Sequence, residues 1–376
     1  MRVLLAPSSF APHLGGVETA VLNLGAALRS LGHDVTVVTN RWPLSLPTDE
    51  MIDGLPVMRI PFPPLRRHPR HWMDPLIAEL ATARRLREHK PFDVMHIHCV
   101  SSQSRPLRRW ANRQGVPVVV TTHGETAMDA SGLYERSARA RREFRTLTRK
   151  AAELTAVSTW TRDHAARIAP TFATATVVPN GISLHPFREI VRAADVSEPR
   201  FLAYGRLVPQ KGFATLVAAF HQVRAHVPLA QLTIAGDGPE RAHLEAIAGD
   251  GVTFLGDVLR SGVPALLAEA RVVVIPSLIE PFGIVALEAL AARRRVVYST
   301  VGGLASLLQG RGIGVEPGDE GQLAAALLTA NQLERPPASW ALELPQWDAV
   351  ASTYAAVLTR ATTRSTDLGG PEHPRR

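Results

Sequence analysis

Two glutamates carry the clearest chemical signal in the chain. Glu280 and Glu288 lie in RVVVIPSLIEPFGIVALEAL, residues 271–290. The apolar run Val272 to Ile275, closed by Pro276-Ser277, predicts a strand buried on both faces, as in a parallel sheet. A loop with Glu280, Pro281, Phe282 and Gly283 follows, and then Ile284, Leu287 and Leu290 at helical spacing. Free N–H groups around Gly283 and Ile284, at the start of that helix, would form an anion site. Two carboxylates beside it suit sugar hydroxyls better than phosphate. The plain alternative makes Glu280 a loop cap and Glu288 a solvated helix residue.

A second constellation is Gly205-Arg206-Leu207-Val208-Pro209-Gln210-Lys211-Gly212, between the strand Phe201 to Tyr204 and a helix from Phe213 to His226. Two fixed cations at the carboxyl end of a strand are what a pyrophosphate leaving group requires, because its negative charge grows as the bond breaks. Lys211 stands out because Lys90, Lys150 and Lys211 are the only lysines. A compact point charge on a flexible stem is wanted there. The alternative is a pair of surface charges.

In the first half, Gly15-Gly16 directly precedes a helix (Val17 to Leu31) and follows the first strand, the usual place for a phosphate-contacting turn. His98 closes the strand Phe92 to His98, and His123-Gly124-Glu125 closes the strand Pro117 to Thr122. Residues at the carboxyl ends of parallel strands point into a ligand crevice. His123 has the stronger claim; for His98 a structural role is an equal reading.

The elements that must position these groups alternate strand and helix from Met1 onward, which argues for parallel sheets. At 376 residues the chain is long enough for two domains. Pro43 to Pro75 reads as irregular and holds the basic run Arg66 to His71; a basic helix follows around Arg105 to Arg113, and an arginine-dense one, read as a solvated face, spans Ser137 to Glu153. The periodic pattern lapses between Ile182 and Phe201, so the interdomain linker is placed near residues 183–199. Gly302-Gly303 is expected to face the same crevice as Glu280. A helix bearing Trp347 and Tyr354 should cover the first domain, and residues 365–376, polar with Gly and Pro, read as a disordered tail.

Residues 1–190 carry 25 Lys and Arg against 16 Asp and Glu, so the whole excess behind the net charge of +8 lies in the first half. That half is expected to meet an anionic acceptor or a membrane surface; arginine-rich composition is the alternative. No apolar run is long enough to span a bilayer. Cys99 is the only cysteine, which excludes an intrachain disulfide or a cysteine metal site and fits a reducing cytoplasm. No aromatic interleaving supports nucleic-acid binding.

The 280–288 stretch resembles the E-x7-E element, with its P-F-G, of retaining glycosyltransferases of GT-B fold, family 4. The G-R-x-x-x-x-K-G loop, the Gly236-Asp237-Gly238-Pro239 turn and the Pro179-Asn180-Gly181-Ile182 turn match that family in order, from Gly15-Gly16 to Trp347. The resemblance implies two Rossmann-like domains facing a central cleft, with a C-terminal helix crossing back. On that reading residues 1–183 with helix 346–364 form the acceptor domain and residues 184–345 the donor domain.

It further implies a hexosyltransferase-type enzyme with a nucleoside diphosphate-sugar as donor. Glu288 would meet the ribose, Glu280 the donor sugar, and the amides near Gly283 and Ile284 the diphosphate. Arg206 and Lys211 would clamp the phosphates, and His123 would steer the donor sugar. The acceptor would be a small molecule, a glycan or a lipid-linked chain. Because no Asp-x-Asp occurs, no metal or other cofactor is expected. Arg293-Arg294-Arg295 and Ala305-Ser306 depart from the family pattern and put details of donor contact in question. Two other readings are a nucleotide-sugar epimerase, with Glu125 and Asp129 as the nearby carboxylates, and a non-catalytic anion- or lipid-binding protein of the same fold.

Overall fold

The computed structural model describes residues 1–13, 15–62, 75–128 and 132–367. They form two compact units: Met1–Asn180 together with the helix that starts at Trp347, and Gly181–Gln346. The basic run Arg66 to His71 and Asp129 lie outside the described residues.

Among the described residues the first unit has eight strands: β1 (Arg2–Pro7), β2 (Asp34–Asn40), β3 (Asp49–Ile52), β4 (Leu55–Ile60), β5 (Val94–His98), β6 (Val118–Thr122), β7 (Glu153–Ala156) and β8 (Thr176–Val177). Their order is β3-β4-β2-β1-β5-β6-β7-β8, and only the β3–β4 pair is antiparallel. This hairpin falls within the stretch read from sequence as irregular. Its turn is Asp53-Gly54, both with positive φ (46° and 78°), the signature of a tight hairpin turn. The density of prolines around it, Pro56 within β4 included, obscured the signal. Arg59 of β4 is fully buried and is held by the Glu50 carboxylate across the hairpin and by the Ala11 carbonyl.

Helices cover both faces of this sheet. One core lies under α1 (Gly16–Ser30) and contains Val3, Leu5, Val21, Leu24 and Leu28. The other lies under α2 (Ser104–Gln114) and α3 (Ala138–Lys150), where Leu107, Trp110, Phe144 and Leu147 meet Leu4, Ile97 and Val120.

The second unit has six strands, all parallel: β9 (Arg200–Tyr204), β10 (Gln231–Ala235), β11 (Val252–Gly256), β12 (Val272–Ile275), β13 (Arg295–Ser299) and β14 (Ile313–Val315). The order β11-β10-β9-β12-β13-β14 reverses between β9 and β12. The helices α4 (Phe213–His226) and α5 (Ile284–Ala291) follow the two strands at the reversal. The expected linker is not featureless, since Arg188–Arg192 is helical and Ile182 bridges to Gln346.

The last helix, α6 (Trp347–Asp367), buries Trp347, Val350, Ala351, Tyr354, Leu358 and Ala361 against the α1 core. That spacing is one apolar face of a helix. α6 runs three residues into the segment expected to be disordered.

Arg293 and Arg294 precede β13 and Arg295 opens it, at the amino-terminal end of the sheet and away from the loops that hold Glu280 and Lys211. Arg295 forms a two-pronged pair with Asp195 (3.1 and 2.5 Å), and Arg294, 1% exposed, lies 3.6 Å from the same carboxylate. The arginines that depart from the family pattern therefore anchor the segment around Asp195.

Candidate functional site

In open parallel sheets a ligand binds beyond the carboxyl ends of the strands where the order reverses. In the second unit the loops at that point are Gly205–Gly212, after β9, and Pro276–Gly283, after β12. These are the two motifs picked out by their charges, and the fold brings them into contact. Lys211 Nζ donates to Glu280 Oε2 at 2.5 Å, and Ser277 Oγ donates to the same oxygen at 3.4 Å.

Backbone contacts fix this arrangement. Leu278 N and Ile279 N both donate to the Gln210 carbonyl, at 2.8 and 3.2 Å, and Gly303 N donates to the Glu280 carbonyl at 2.9 Å. The approaches are so close that only glycine fits. A Cβ on Gly212 would lie 2.1 Å from the Pro276 carbonyl oxygen, and one on Gly302 would lie 2.0 Å from that of Glu280. Both residues also have positive φ, 66° and 56°.

Glu288 on α5 is 3% exposed and held by two donors of the protein rather than solvated. The Tyr204 hydroxyl donates to Oε2 at 2.7 Å, and Arg260 lies 2.7 Å from Oε1. Burial raises its carboxyl pKa, while Arg260 and the Tyr204 hydrogen bond oppose the rise. Burial likewise pushes the Tyr204 hydroxyl well above its ordinary value, with the Glu288 charge adding to it. An ionised carboxylate has about four acceptor sites, so two remain for hydroxyls of a ligand. Neither Tyr204 nor Arg260 was identified from sequence; the available signal for Tyr204 was its place as the last residue of β9.

Gly283 caps α5 in the left-handed region (φ 94°) with no side-chain hydrogen bond, so the first turn offers N–H groups to a ligand. Phe282 is buried beneath the loop. Arg206 is exposed and, among the described residues, its guanidinium makes no hydrogen bond or ion pair. The two cations of the loop thus differ: Lys211 is held by Glu280 and Arg206 is free.

In the first unit the reversal lies between β1 and β5. Gly15 caps α1 with extended backbone, and the Glu18 carboxylate reaches back to within 2.4 Å of where a Cβ on Gly15 would stand. His98, read from sequence as pointing into the crevice, is 1% exposed. Its Nδ1 lies 3.0 Å from His123 Nε2, and its ring sits 3.9 Å from that of His96. Burial lowers the His96 pKa to about 3 and that of His123 to about 4, and holds His98 well below its usual range. The three imidazoles are neutral at pH 7. His123 is half-buried at the rim.

Glu125 is fully engaged, accepting from Val100 N (3.0 Å), Thr122 Oγ1 (3.0 Å) and His123 N (2.9 Å). It ties the loops after β5 and β6 together. Cys99, between them, is buried with positive φ (62°), and its thiol pKa is raised by burial and by Glu125 and Glu18.

Comparison with known proteins agrees with this geometry. A family model described as glycosyl transferases group 1 matches residues 198–332, and one described as glycosyl transferase 4-like domain matches residues 15–181. The glycogen synthase of Mycobacterium tuberculosis is 30% identical over 360 residues, covering 87% of this chain and 85% of that protein. Among solved structures, sucrose-phosphate synthase from Thermosynechococcus elongatus superposes with a TM-score of 0.76 at 22% identity, over 97% of this chain and 100% of that one. Anabaena HepE, solved with UDP and glucose, gives 0.68 at 19% identity, over 98% and 99%. The fold is GT-B, and the chain belongs to the group 1 glycosyltransferases.

Proposed function

We propose that the chain is a retaining, metal-independent glycosyltransferase that moves a sugar from a nucleoside diphosphate donor to an acceptor hydroxyl. The observation that carries this reading is the Lys211–Glu280 pair, 2.5 Å apart at the strand reversal of the second unit, with free Arg206 and the uncapped start of α5 on the same loops. Lys211, Arg206 and the α5 amides supply positive charge for a diphosphate whose charge grows as the glycosidic bond breaks. Glu280, held by Lys211, hydrogen-bonds the donor sugar, and Glu288 takes the ribose hydroxyls. HepE, solved with UDP and glucose, illustrates a donor of this class on the same fold.

Retention requires attack on the face from which the phosphate leaves, and that phosphate can accept the acceptor proton. A strong protein base is then unnecessary, in keeping with neutral His123 acting as a hydrogen-bond partner of the donor sugar rather than as a proton acceptor. The acceptor is a small molecule, a glycan or a lipid-linked chain met by the basic first unit, and peripheral contact with an anionic membrane falls within this reading. Among the described residues no helix is long and apolar enough to cross a membrane.

The test is a panel of nucleotide sugars screened by thermal shift, since a bound donor stabilises the folded state by mass action. A matched donor should raise Tm and then be consumed in the presence of EDTA, with retained anomeric configuration by NMR. A requirement for manganese or magnesium, or an inverted product, overturns the mechanism.

A further inference from the structure

The basic faces of α2 and α3 line one groove of about 740 Å³ on the outside of the first unit. On α2, Arg105, Arg109 and Arg113 recur every four residues. On α3, Arg139, Arg142 and Lys150 share an exposed face, next to the one formed by the buried Ala140, Phe144 and Leu147. Helices that follow parallel strands run back antiparallel to them, so both cationic rows start at the carboxyl-end rim of the sheet and extend away from it. The eleven residues of α2 run for about 16 Å along it.

The charge within it is unbalanced. Glu79, 4% exposed, is shared by the three α2 arginines at 3.6, 2.6 and 3.8 Å. Glu143 pairs with buried Arg108 at 3.1 Å. Among the described residues the head groups of Arg139, Arg142 and Lys150 have no hydrogen bond or ion pair, and all three side chains are exposed. An elongated trough with a surplus of cations along both walls is complementary to a chain that carries a negative charge at intervals.

We propose that this groove is a binding site for an acidic polysaccharide, one with repeating carboxylate, sulfate or phosphate groups. It would hold the acceptor polymer by its body while its end reaches the rim. Asn112 and Thr146 supply the neutral hydrogen bonds that sugar hydroxyls need. Among the described residues no aromatic side chain lines the groove, so these residues offer no stacking platform of the kind that single-stranded nucleic acid uses. Its concave, linear form suits a chain better than a flat lipid surface. The proposal deepens the acceptor side of the function above, but its test needs no donor, so the two readings fail separately.

Fluorescence anisotropy of the full chain with a fluorescein-labelled polygalacturonate oligosaccharide is the direct measurement. Binding should weaken steeply with salt, as exposed charges are screened, and a neutral malto-oligosaccharide of equal length should not compete. The R139E/R142E/K150E variant should bind roughly thirtyfold more weakly, each reversed charge acting as an exposed ion pair does, with an unchanged circular dichroism spectrum. R84E/R87E/R167E, which removes the same charge elsewhere on the unit, should stay within about threefold. Equal loss in both variants, competition by monomeric galacturonate at the same site concentration, or sedimentation with phosphatidylglycerol vesicles in place of oligosaccharide binding each overturns the proposal.

Discussion

The two units gather their polar groups at the same topological place, the carboxyl ends of strands where the order reverses, and they do so by opposite electrostatic means. In the second unit the groups are charged and paired: Lys211 with Glu280, and Arg260 with Glu288. Their loops are pinned by glycines that approach neighbouring carbonyls too closely for any side chain. In the first unit the groups are neutral imidazoles, with buried His98 against both His96 and half-buried His123, while Glu125 is spent on the backbone and on Thr122. A fixed field is suited to a ligand that carries charge. Neutral imidazoles offer directional hydrogen bonds without adding charge, which suits a sugar.

The largest expected effect breaks the charged side. Lys211→Ala should lower kcat by about 10²- to 10³-fold, the loss of one preorganised contact to developing charge. It also leaves Glu280, 7% exposed, without its cation, so Tm should fall slightly. Arg206→Ala should lower kcat while leaving Tm unchanged, because among the described residues the Arg206 guanidinium makes no hydrogen bond or ion pair. Transfer near the wild-type rate in both variants would remove the phosphate clamp from the account.

Next is the backbone fit that positions the pair. Gly212→Ala places a Cβ 2.1 Å from the Pro276 carbonyl oxygen at a φ of 66°. The loops must separate, at a cost of about 1–3 kcal/mol for the strained conformation alone, and donor affinity should fall together with Tm. Gly115, also in the left-handed region but with nothing within 4 Å of an added Cβ, is the matched control for backbone strain without the clash. Equal donor affinity in Gly212→Ala and Gly115→Ala would show that the close approach does not position the site.

A smaller effect probes Glu288. Tyr204→Phe removes one donor from a buried carboxylate, a hydrogen bond to charge worth about 1.5–3 kcal/mol. The nucleotide Kd should rise by at least about tenfold, since Glu288 would no longer be held in place. An unchanged Kd would mean that Glu288 does not touch the nucleotide.

The same contrast explains what could be read from sequence. Apolar runs closed by breakers, and helical spacing such as Ile284, Leu287 and Leu290, reveal parallel sheets because buried strands and helix faces write themselves locally. Glu280, Lys211 and the glycines stood out because charge and conformational freedom at the end of a strand have few structural uses. Their contact did not, because Lys211 and Glu280 are 69 residues apart and the pairing exists only through sheet order. Tyr204 and Arg260 were missed for the same reason. The Asp53-Gly54 turn was local and legible, but it sat among prolines that argued for an irregular stretch. His98 was placed at a strand end correctly, and of its two readings the buried one fits: it packs against His96, whose ring meets Tyr354 of α6.

The last prediction reads the neutral side of the comparison through pH. Burial lowers the His96 pKa to about 3 and holds His98 well below the usual histidine range. As pH falls through about 6.5, the unfolded chain takes up protons at both residues and the folded chain does not. Stability should therefore be constant above that pH and fall below it, by up to about 1.4 kcal/mol per pH unit for each histidine, until the folded values are reached. The histidines of the second unit, His185, His221, His226 and His243, are all exposed, and none is enclosed as His96 and His98 are. Urea unfolding read by pulsed hydrogen exchange and mass spectrometry distinguishes the two: peptides of β5 and β6 should lose protection at lower urea as pH drops from about 7 to about 5, and those of β12 and β13 should respond less. His96→Gln should flatten the dependence in the first unit, because Gln can still meet the Thr121 hydroxyl that lies 2.6 Å from His96 Nε2 but takes up no proton when unfolded. An identical slope in His96→Gln and wild type would mean that the acid sensitivity of the first unit comes from elsewhere, and the contrast between a charged and a neutral site would lose its thermodynamic support.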